Sequence, residues 1–225
     1  MKKLFLLTSL FTTVFTVNAQ IANIPGAGNE VIRLKKYADV EGSPYLYTEW
    51  KSGTITDNTG KVYPNVLLKY DAYKDVLEIN QDGTVMQLNT DRYPEFAITF
   101  ADGSSNKVVK QKFSSGLTQI PGYSSKTYFE IVGDGSLTVL KKYDIKFIED
   151  VVNNYGTAAT VKRFQRGEKY FVVVNEVATE FKLNNKSFLS ACGEKKAEME
   201  DILTQRKIKI KNEADLISAL HYYEN

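Results

Sequence analysis

The sequence has 225 residues, with 29 lysine and arginine residues against 27 aspartate and glutamate residues, one histidine and one cysteine. This near balance of charge gives no support for nucleic-acid binding, and a lone cysteine excludes an internal disulfide. A protein zinc site needs several histidine or cysteine ligands, so we expect no metal and no cofactor.

The amino terminus has the pattern of an export signal. Lys2 and Lys3 precede an apolar run from Leu4 to Val17, and the small residues that follow predict cleavage before Gln20. The run is too short for a membrane span, and no later segment approaches the ~18–20 apolar residues that a spanning helix needs. We therefore expect an exported mature chain without a transmembrane segment, with the periplasm as the favoured location and secretion as the alternative.

The stretch Tyr45–Asn80 carries the clearest strand and turn signals. Asp57–Gly60 is polar and ends in glycine between two β-type runs, which predicts a hairpin connection. A second reversal is expected at Asp71–Asp75. Beyond it, Leu77 and Ile79 alternate with polar residues, as in a strand with one solvent-facing side.

The same stretch is dense in aromatic side chains, which suit sheet surfaces because flat rings cover their cross-strand neighbours. Packing in the core and across strands accounts for most of this density. A second interpretation is an aromatic-lined groove for an apolar ligand. Its candidate ligand-binding residues are Tyr45, Tyr47, Trp50, Tyr63, Tyr70 and Tyr73.

Short strands separated by turn signals continue as far as Leu183. Glu95–Phe100 is the clearest strand, and Tyr170–Val174 is predicted to be the most buried because it is apolar on both faces. Further strands are predicted at Asn106–Phe113, Lys126–Val132, Ser136–Lys142, Ala159–Phe164 and Ala178–Leu183, with turns at Gln81–Gly83, Ala101–Ser104, Val132–Gly135 and Gln165–Glu168. Ser114–Gly116 and Pro121–Gly122 predict one long loop. This succession is typical of an antiparallel meander.

The pattern becomes helical at Asn184. Asn185 is predicted to cap a helix over Lys186–Cys192, and Gly193 to end it. An exposed amphipathic helix is expected over Glu194–Lys207.

A last helix is indicated by Asn212 with Asp215 three residues later, a spacing that resembles a capping pair. Its predicted apolar stripe consists of Leu216, Ile217, Leu220 and Tyr223. Because that stripe must be buried, we expect the C-terminal helices to cover one open face or end of the β-region.

The predicted fold is therefore mainly β, of the α+β type. It is a curved antiparallel meander, as a sandwich or partly open barrel, with two or three C-terminal helices packed on it. The segments are a signal peptide at residues 1–19, a β-rich region at residues 20–183, and a helical segment at residues 184–225 that packs on the same domain.

No set of residues in the sequence identifies a reaction. His221 is the only histidine, and no nucleophile elbow accompanies it; Cys192 falls in an apolar helix, where a buried inert thiol is expected. Paired carboxylates can act on a sugar without histidine. The acidic residues considered for that role are Glu49, Asp71, Asp75, Glu78, Glu95, Glu130, Glu149 and Asp150. No catalytic residue is assigned, and an enzyme is the less favoured class.

Three blocks of the sequence are distinctive together. They are the stretch Tyr45–Asn80, with EWKSGTITDNTGKVYPNVLLKYDAYKDVLEIN, the stretch Val161–Val174, with VKRFQRGEKYFVVV, and the ending KSFLSACGEKKAEMEDIL…NEADLISALHYYEN. Together they resemble an uncharacterised family of exported proteins from Bacteroidota. The resemblance covers most of the mature chain and implies an envelope or secreted location. It supplies no catalytic or ligand-binding residues.

The leading hypothesis is a non-enzymatic, exported, β-rich protein that binds an apolar ligand or a protein partner in the cell envelope. It rests on the strand pattern, on the aromatic residues of Tyr45–Tyr73 and on the lack of a recognisable catalytic set. The alternatives are a carboxylate-dependent glycan hydrolase and a structural envelope protein that pairs through a strand edge.

Overall fold

The computed structural model of the protein describes Ile24, Tyr37 and residues 39–101, 108–117, 120–154 and 157–224. The predicted signal peptide, residues 1–19, lies outside the described residues. The same holds for positions 102–104 of the turn predicted after Ala101.

The strands form one ten-stranded antiparallel sheet, which confirms the mainly β class with C-terminal helices. They are β1 Lys51–Thr56, β2 Val62–Asp71, β3 Val76–Gln81, β4 Thr84–Gln87, β5 Glu95–Ala101, β6 Val108–Ser114, β7 Phe129–Asp134, β8 Thr138–Asn154, β9 Thr157–Val174 and β10 Val177–Phe181. Their order across the sheet is β10-β9-β8-β7-β6-β5-β1-β2-β3-β4. The sequential order of a meander is broken once, where β5 returns to pair with β1.

The predicted hairpin at Asp57–Gly60 is confirmed. One carboxylate oxygen of Asp57 accepts hydrogen bonds from the backbone N–H groups of Thr59 and Lys61, at 2.9 and 3.0 Å. The glycine that ends the turn has a φ of 84°. An aspartate that accepts bonds from its own turn favours this reversal. The second predicted reversal, Asp71–Asp75, also forms, between β2 and β3.

The turn predicted at Gln165–Glu168 is wrong, because β9 runs through these residues without interruption. β8 and β9 are 17 and 18 residues long, and every residue of β8 pairs with a residue of β9. Gly167 lies opposite Asp144, and a Cβ atom at position 167 would be 3.1 Å from the Asp144 carbonyl oxygen. This glycine therefore permits a close approach of two strands rather than a turn.

The segment Glu41–Leu46, which we call the strap, bridges β9 and β2. The Glu41 N–H donates to the Lys162 carbonyl oxygen at 2.9 Å, and the Leu46 N–H donates to the Tyr70 carbonyl oxygen at 2.9 Å. β9 and β2 lie six positions apart in the strand order, so one short segment reaches both only because the sheet is strongly curved. The sheet itself is not closed. The strap connects β9 to β2 through two isolated bridges, Glu41 with Arg163 and Tyr45 with Asp71.

Three groups of buried apolar side chains hold this architecture together. The main core fills the inside of the curve and includes Ile55, Leu68, Tyr70, Leu77, Ile79, Phe96, Phe113 and Tyr143. The helix core lies between the helices and the strands β8 to β10 and includes Val139, Tyr170, Val172, Phe181, Phe188 and Leu216. The loop core consists of Ile120, Phe129, Leu140 and Phe171. Since Phe171 and its neighbour Val172 enter different cores, both faces of this strand are covered, as predicted.

The helices are α1 Asn185–Ala191, a 3-10 turn at Gly193–Lys195, α2 Lys196–Gln205 and α3 Glu213–Glu224. The cap of α1 is Asn184, one residue earlier than predicted, and its side-chain oxygen accepts from the Ser187 N–H at 2.9 Å. Asn185 instead uses its side-chain amide to hold the chain that follows α2, through the Ile208 carbonyl oxygen and the Ile210 N–H.

The predicted capping pair of α3 is confirmed, because the Asp215 N–H donates to the Asn212 side-chain oxygen at 3.0 Å. The predicted apolar stripe is wrong at Ile217, which is 47% exposed. The buried positions are Leu216, Ala219 and Leu220, so the face that packs on the sheet lies further round the helix. The helix core that these residues complete includes residues of β8, β9 and β10.

Candidate functional site

The six aromatic residues predicted to bind a ligand lie in different environments. Tyr63 and Tyr70 are core residues, 5% and 1% exposed. Tyr73 is 41% exposed, and its ring packs against Phe147 and Phe164 with centroids 6.5 and 5.2 Å away. The remaining three, Tyr45, Tyr47 and Trp50, are half-buried.

Tyr45 and Trp50 meet at the side chain of Lys69. The Lys69 ammonium lies 4.4 Å from the centroid of the Tyr45 ring and 5.6 Å from that of the Trp50 ring. The Tyr45 hydroxyl donates to the Glu78 carboxylate at 3.2 Å. Lys69 and Glu78 are direct partners across β2 and β3. These four residues form what we call the aromatic–cation cluster.

The carboxylate of this cluster is almost completely buried. Glu78 is 3% exposed, and burial raises its pKa above the ordinary value, although the hydrogen bond from Tyr45 opposes this shift. Burial also raises the pKa of Tyr45, and the nearby Glu78 carboxylate raises it further. The hydroxyl therefore stays protonated and donates to Glu78 at physiological pH.

Tyr47 belongs to a second cluster, the polar junction, which gathers around Lys141 between the main core and the helix core. The Lys141 ammonium lies 2.6 Å from Glu213, 3.3 Å from Glu168 and 4.0 Å from Glu130. Glu213 is the first residue of α3, so this junction ties the last helix to β8 and β9.

The inner part of the polar junction is a chain of hydrogen bonds that starts at Tyr47, the residue that follows the strap. The Tyr47 hydroxyl donates to the Gln111 side-chain oxygen at 2.6 Å, and the Gln111 amide donates to Glu130 at 2.9 Å. The Tyr143 hydroxyl donates to the other Glu130 oxygen at 2.5 Å. Burial raises the pKa of Glu130, and the Tyr143 hydrogen bond opposes this rise. Both carboxylate oxygens of Glu130 are therefore already engaged within the protein.

A cavity of about 540 Å³ is formed by the long loop that joins β6 to β7. Ile120 and Phe129, both buried, line it together with Tyr123. The Tyr123 ring packs edge-on against Phe129 and Phe171, at centroid distances of 5.2 and 5.8 Å. Ser124, Ser125 and Thr127 also line the cavity, and the hydroxyl oxygens of Ser124 and Thr127 lie 3.4 Å apart, within hydrogen-bonding distance. The cavity thus combines an apolar floor from the loop core with hydroxyl groups.

The two side chains that the sequence offered for nucleophilic chemistry lie apart from these sites. Cys192 is fully buried, as predicted, and burial raises the pKa of its thiol to about 12, so it stays protonated. His221 is exposed on α3. Within the described ranges, no group of three or more histidine, cysteine or acidic residues is placed to hold a metal ion. None of the helices described here is long and apolar enough to cross a membrane.

Sequence reasoning named Glu130 among several acidic residues but missed the polar junction as a unit. Glu130, Lys141 and Tyr170 are register partners across β7, β8 and β9, so a correct register would have brought them together. Glu213 comes from α3, 43 residues from the Tyr170 hydroxyl that donates to it. No local pattern in the sequence connects these two positions. The loop cavity was missed as well, because loop composition predicts a connection but not its volume.

A comparison with known proteins finds no matching family model, no matching curated protein and no matching solved structure. The function of this protein therefore has to be argued from its own geometry.

Proposed function

We propose that this protein is exported to the periplasm and binds an apolar small molecule in the loop cavity, without catalysing a reaction. The observation that carries the proposal is the cavity itself, at about 540 Å³. This volume lies within the roughly 300–1,000 Å³ that small-molecule sites span, and the lining combines apolar side chains with polar groups. The export pattern of residues 1–19 supports the location.

The distribution of side chains around the cavity indicates how a ligand would lie. Ile120 and Phe129 are 4% and 3% exposed and continue into the loop core, so they form a fixed apolar floor. Ser124 and Ser125 are exposed and stand at the rim. An apolar ligand with one polar end fits this arrangement, since its chain contacts the floor and its polar end reaches the hydroxyl groups.

The proposal is tested by filling the cavity. The wild-type protein is expected to enhance the fluorescence of 1-anilinonaphthalene-8-sulfonate, with palmitate as a competitor. Ser125→Trp adds an indole at the rim of the cavity and is expected to weaken binding by about tenfold or more. Thr84→Trp, at an exposed position on β4, is the matched control. Equal affinity in all three proteins, or no binding by the wild type, contradicts the proposal.

A second candidate is a carboxylate-dependent glycan hydrolase at the polar junction. It is favoured by the convergence of Glu130 and Glu213 on one ammonium group, both within 4.0 Å of it. The raised pKa of Glu130 is what a general acid needs. Against it, these carboxylates already pair within the protein. Hydrolysis of 4-nitrophenyl glycosides that disappears in Glu130→Gln would support this candidate.

A further inference from the structure

We propose that the aromatic–cation cluster is a second binding site, for a small quaternary ammonium compound, and that Lys69 occupies it as an internal ligand. The site is independent of the loop cavity and takes a different chemical class. Tyr45 of the strap and Trp50, which immediately precedes β1, supply the aromatic rings, and Lys69 of β2 supplies the resident cation.

The cluster lies on the outer face of the β2–β3 hairpin. Leu68 and Tyr70 belong to the main core, and alternation along the strand directs Lys69, which lies between them, to the opposite face. Its cross-strand partner Glu78 lies on the same outer face. Tyr45, Trp50 and Lys69 are half-buried rather than enclosed.

The aromatic rings, rather than the carboxylate, position the Lys69 ammonium. Although Glu78 is its direct partner across the strands, the Glu78 carboxylate accepts the Tyr45 hydroxyl at 3.2 Å, and the ammonium lies over the faces of Tyr45 and Trp50. The negative face of an aromatic ring attracts a cation, and such ring pairs are the usual recognition element for quaternary ammonium groups.

Two buried carboxylates favour positive charge at this place. Glu78 and Asp71 are each 3% exposed, and Asp71, two residues beyond Lys69, follows it on the outer face. Burial raises the pKa of Glu78, and the nearby Asp71 charge adds to this rise. Lys69 and Lys74 offset this negative charge in the free protein. A bound cation would replace the positive charge that Lys69 now provides.

The resident lysine determines how the site would bind an external cation. An external cation must displace an ammonium group that is tethered to β2, so the apparent affinity is reduced by the fraction of time that Lys69 occupies the rings. Removal of the lysine side chain should therefore improve binding. This behaviour distinguishes a binding site from a purely structural cation–π contact.

Trp50 is the only tryptophan in the chain, so its fluorescence reports directly on the cluster. The experiment titrates wild type, Lys69→Ala and Lys51→Ala with tetramethylammonium chloride, against sodium chloride at equal ionic strength. Lys51, whose ammonium lies 5.2 Å from the Tyr47 ring centroid, is the matched control. We expect saturable binding to Lys69→Ala that is about tenfold tighter than to wild type, and wild-type affinity in Lys51→Ala.

The double variant Lys69→Ala/Tyr45→Ala, with its fold verified by circular dichroism, should lose this binding. The proposal is overturned if Lys69→Ala gives no saturable response, if sodium chloride gives the same response, or if the double variant binds as well as the single one. Should Lys69→Ala fail to fold, Lys69→Gln keeps most of the aliphatic stem without the charge, and the same expected and contrary results apply to it.

Discussion

Lys142 of β8, which is buried, and Asp75 of the β2–β3 turn, which is half-buried, form an ion pair with 3.0 Å between the ammonium nitrogen and the carboxylate oxygen. The same oxygen accepts hydrogen bonds from the Tyr70 hydroxyl and the Tyr128 backbone N–H. The ammonium also donates to the Tyr70 hydroxyl oxygen at 2.8 Å. One carboxylate thus joins β8, the end of β2 and the segment before β7, which are distant in sequence.

Removal of Lys142 should be destabilising, because the Asp75 carboxylate, which is only 22% exposed, loses its cation. Lys142→Ala is expected to lower the free energy of unfolding by about 1.5–3 kcal/mol, measured by urea denaturation. Lys146→Ala is the control, since its side chain is 67% exposed and its loss should change stability by less than about 0.5 kcal/mol. A Lys142→Ala protein as stable as the control would show that the pair does not hold the curved sheet.

Gly53 on β1 marks a close approach of three strands. It pairs with Ile98 of β5 and Val66 of β2, and a Cβ atom at this position would overlap the Ala97 carbonyl oxygen. Because that obstacle is backbone, Gly53→Ala should lower the free energy of unfolding by about 3 kcal/mol. Ser52→Ala, at the exposed neighbouring position, should be close to wild type in the same measurement. Equal stability of both variants would rule out this strand contact.

The contribution of Asp57 to the stability of the β1–β2 hairpin should depend on pH. Its pKa is lowered from 3.8 to about 2, chiefly by the hydrogen bond from the Thr59 hydroxyl. Between these values the unfolded chain binds a proton that the native chain does not, so a fall in pH favours unfolding. The melting temperature of wild type should exceed that of Asp57→Asn above pH 4, and the difference should shrink as pH approaches 2. A difference that is constant with pH would contradict this role of the charge.

Two adjacent residues of α3 test which face of the helix packs on the sheet. Leu216 is fully buried, and Leu216→Ala should lower the free energy of unfolding by about 2–5 kcal/mol. Ile217 is 47% exposed, and Ile217→Ala should stay within about 0.5 kcal/mol of wild type. Similar losses in both variants, measured by urea denaturation, would favour the stripe that the sequence predicted.

Local signals in the sequence predicted local structure well. The carboxylate of Asp57 and the side chain of Asn212 act on backbone groups within four residues, so turn and cap composition were enough to find them. Gly167 was misjudged because its role is set by Asp144 on the facing strand. The pairing of β5 with β1 could not be predicted for a similar reason. Packing of the whole core determines which strands pair, and neighbourhood in the sequence does not.

The candidate sites could also be predicted only in part from the sequence. The aromatic density of the Tyr45–Tyr73 region indicated Tyr45 and Trp50, but their shared contact with Lys69 depends on the course of the strap and on the β2–β3 register. The contact between Glu213 and Lys141 needs the docked position of α3. Such contacts between residues distant in sequence depend on the packing of the whole core, and no short sequence pattern predicts them.

The proposal that this protein binds an apolar ligand is tested most directly by mass spectrometry of small molecules extracted from the protein after gentle purification from the cells that produce it. The proposal predicts one apolar species in near-stoichiometric amount with wild type and with Thr84→Trp, and its loss from Ser125→Trp. Absence of any such species from wild type, or equal retention by Ser125→Trp, would contradict the loop cavity as the binding site.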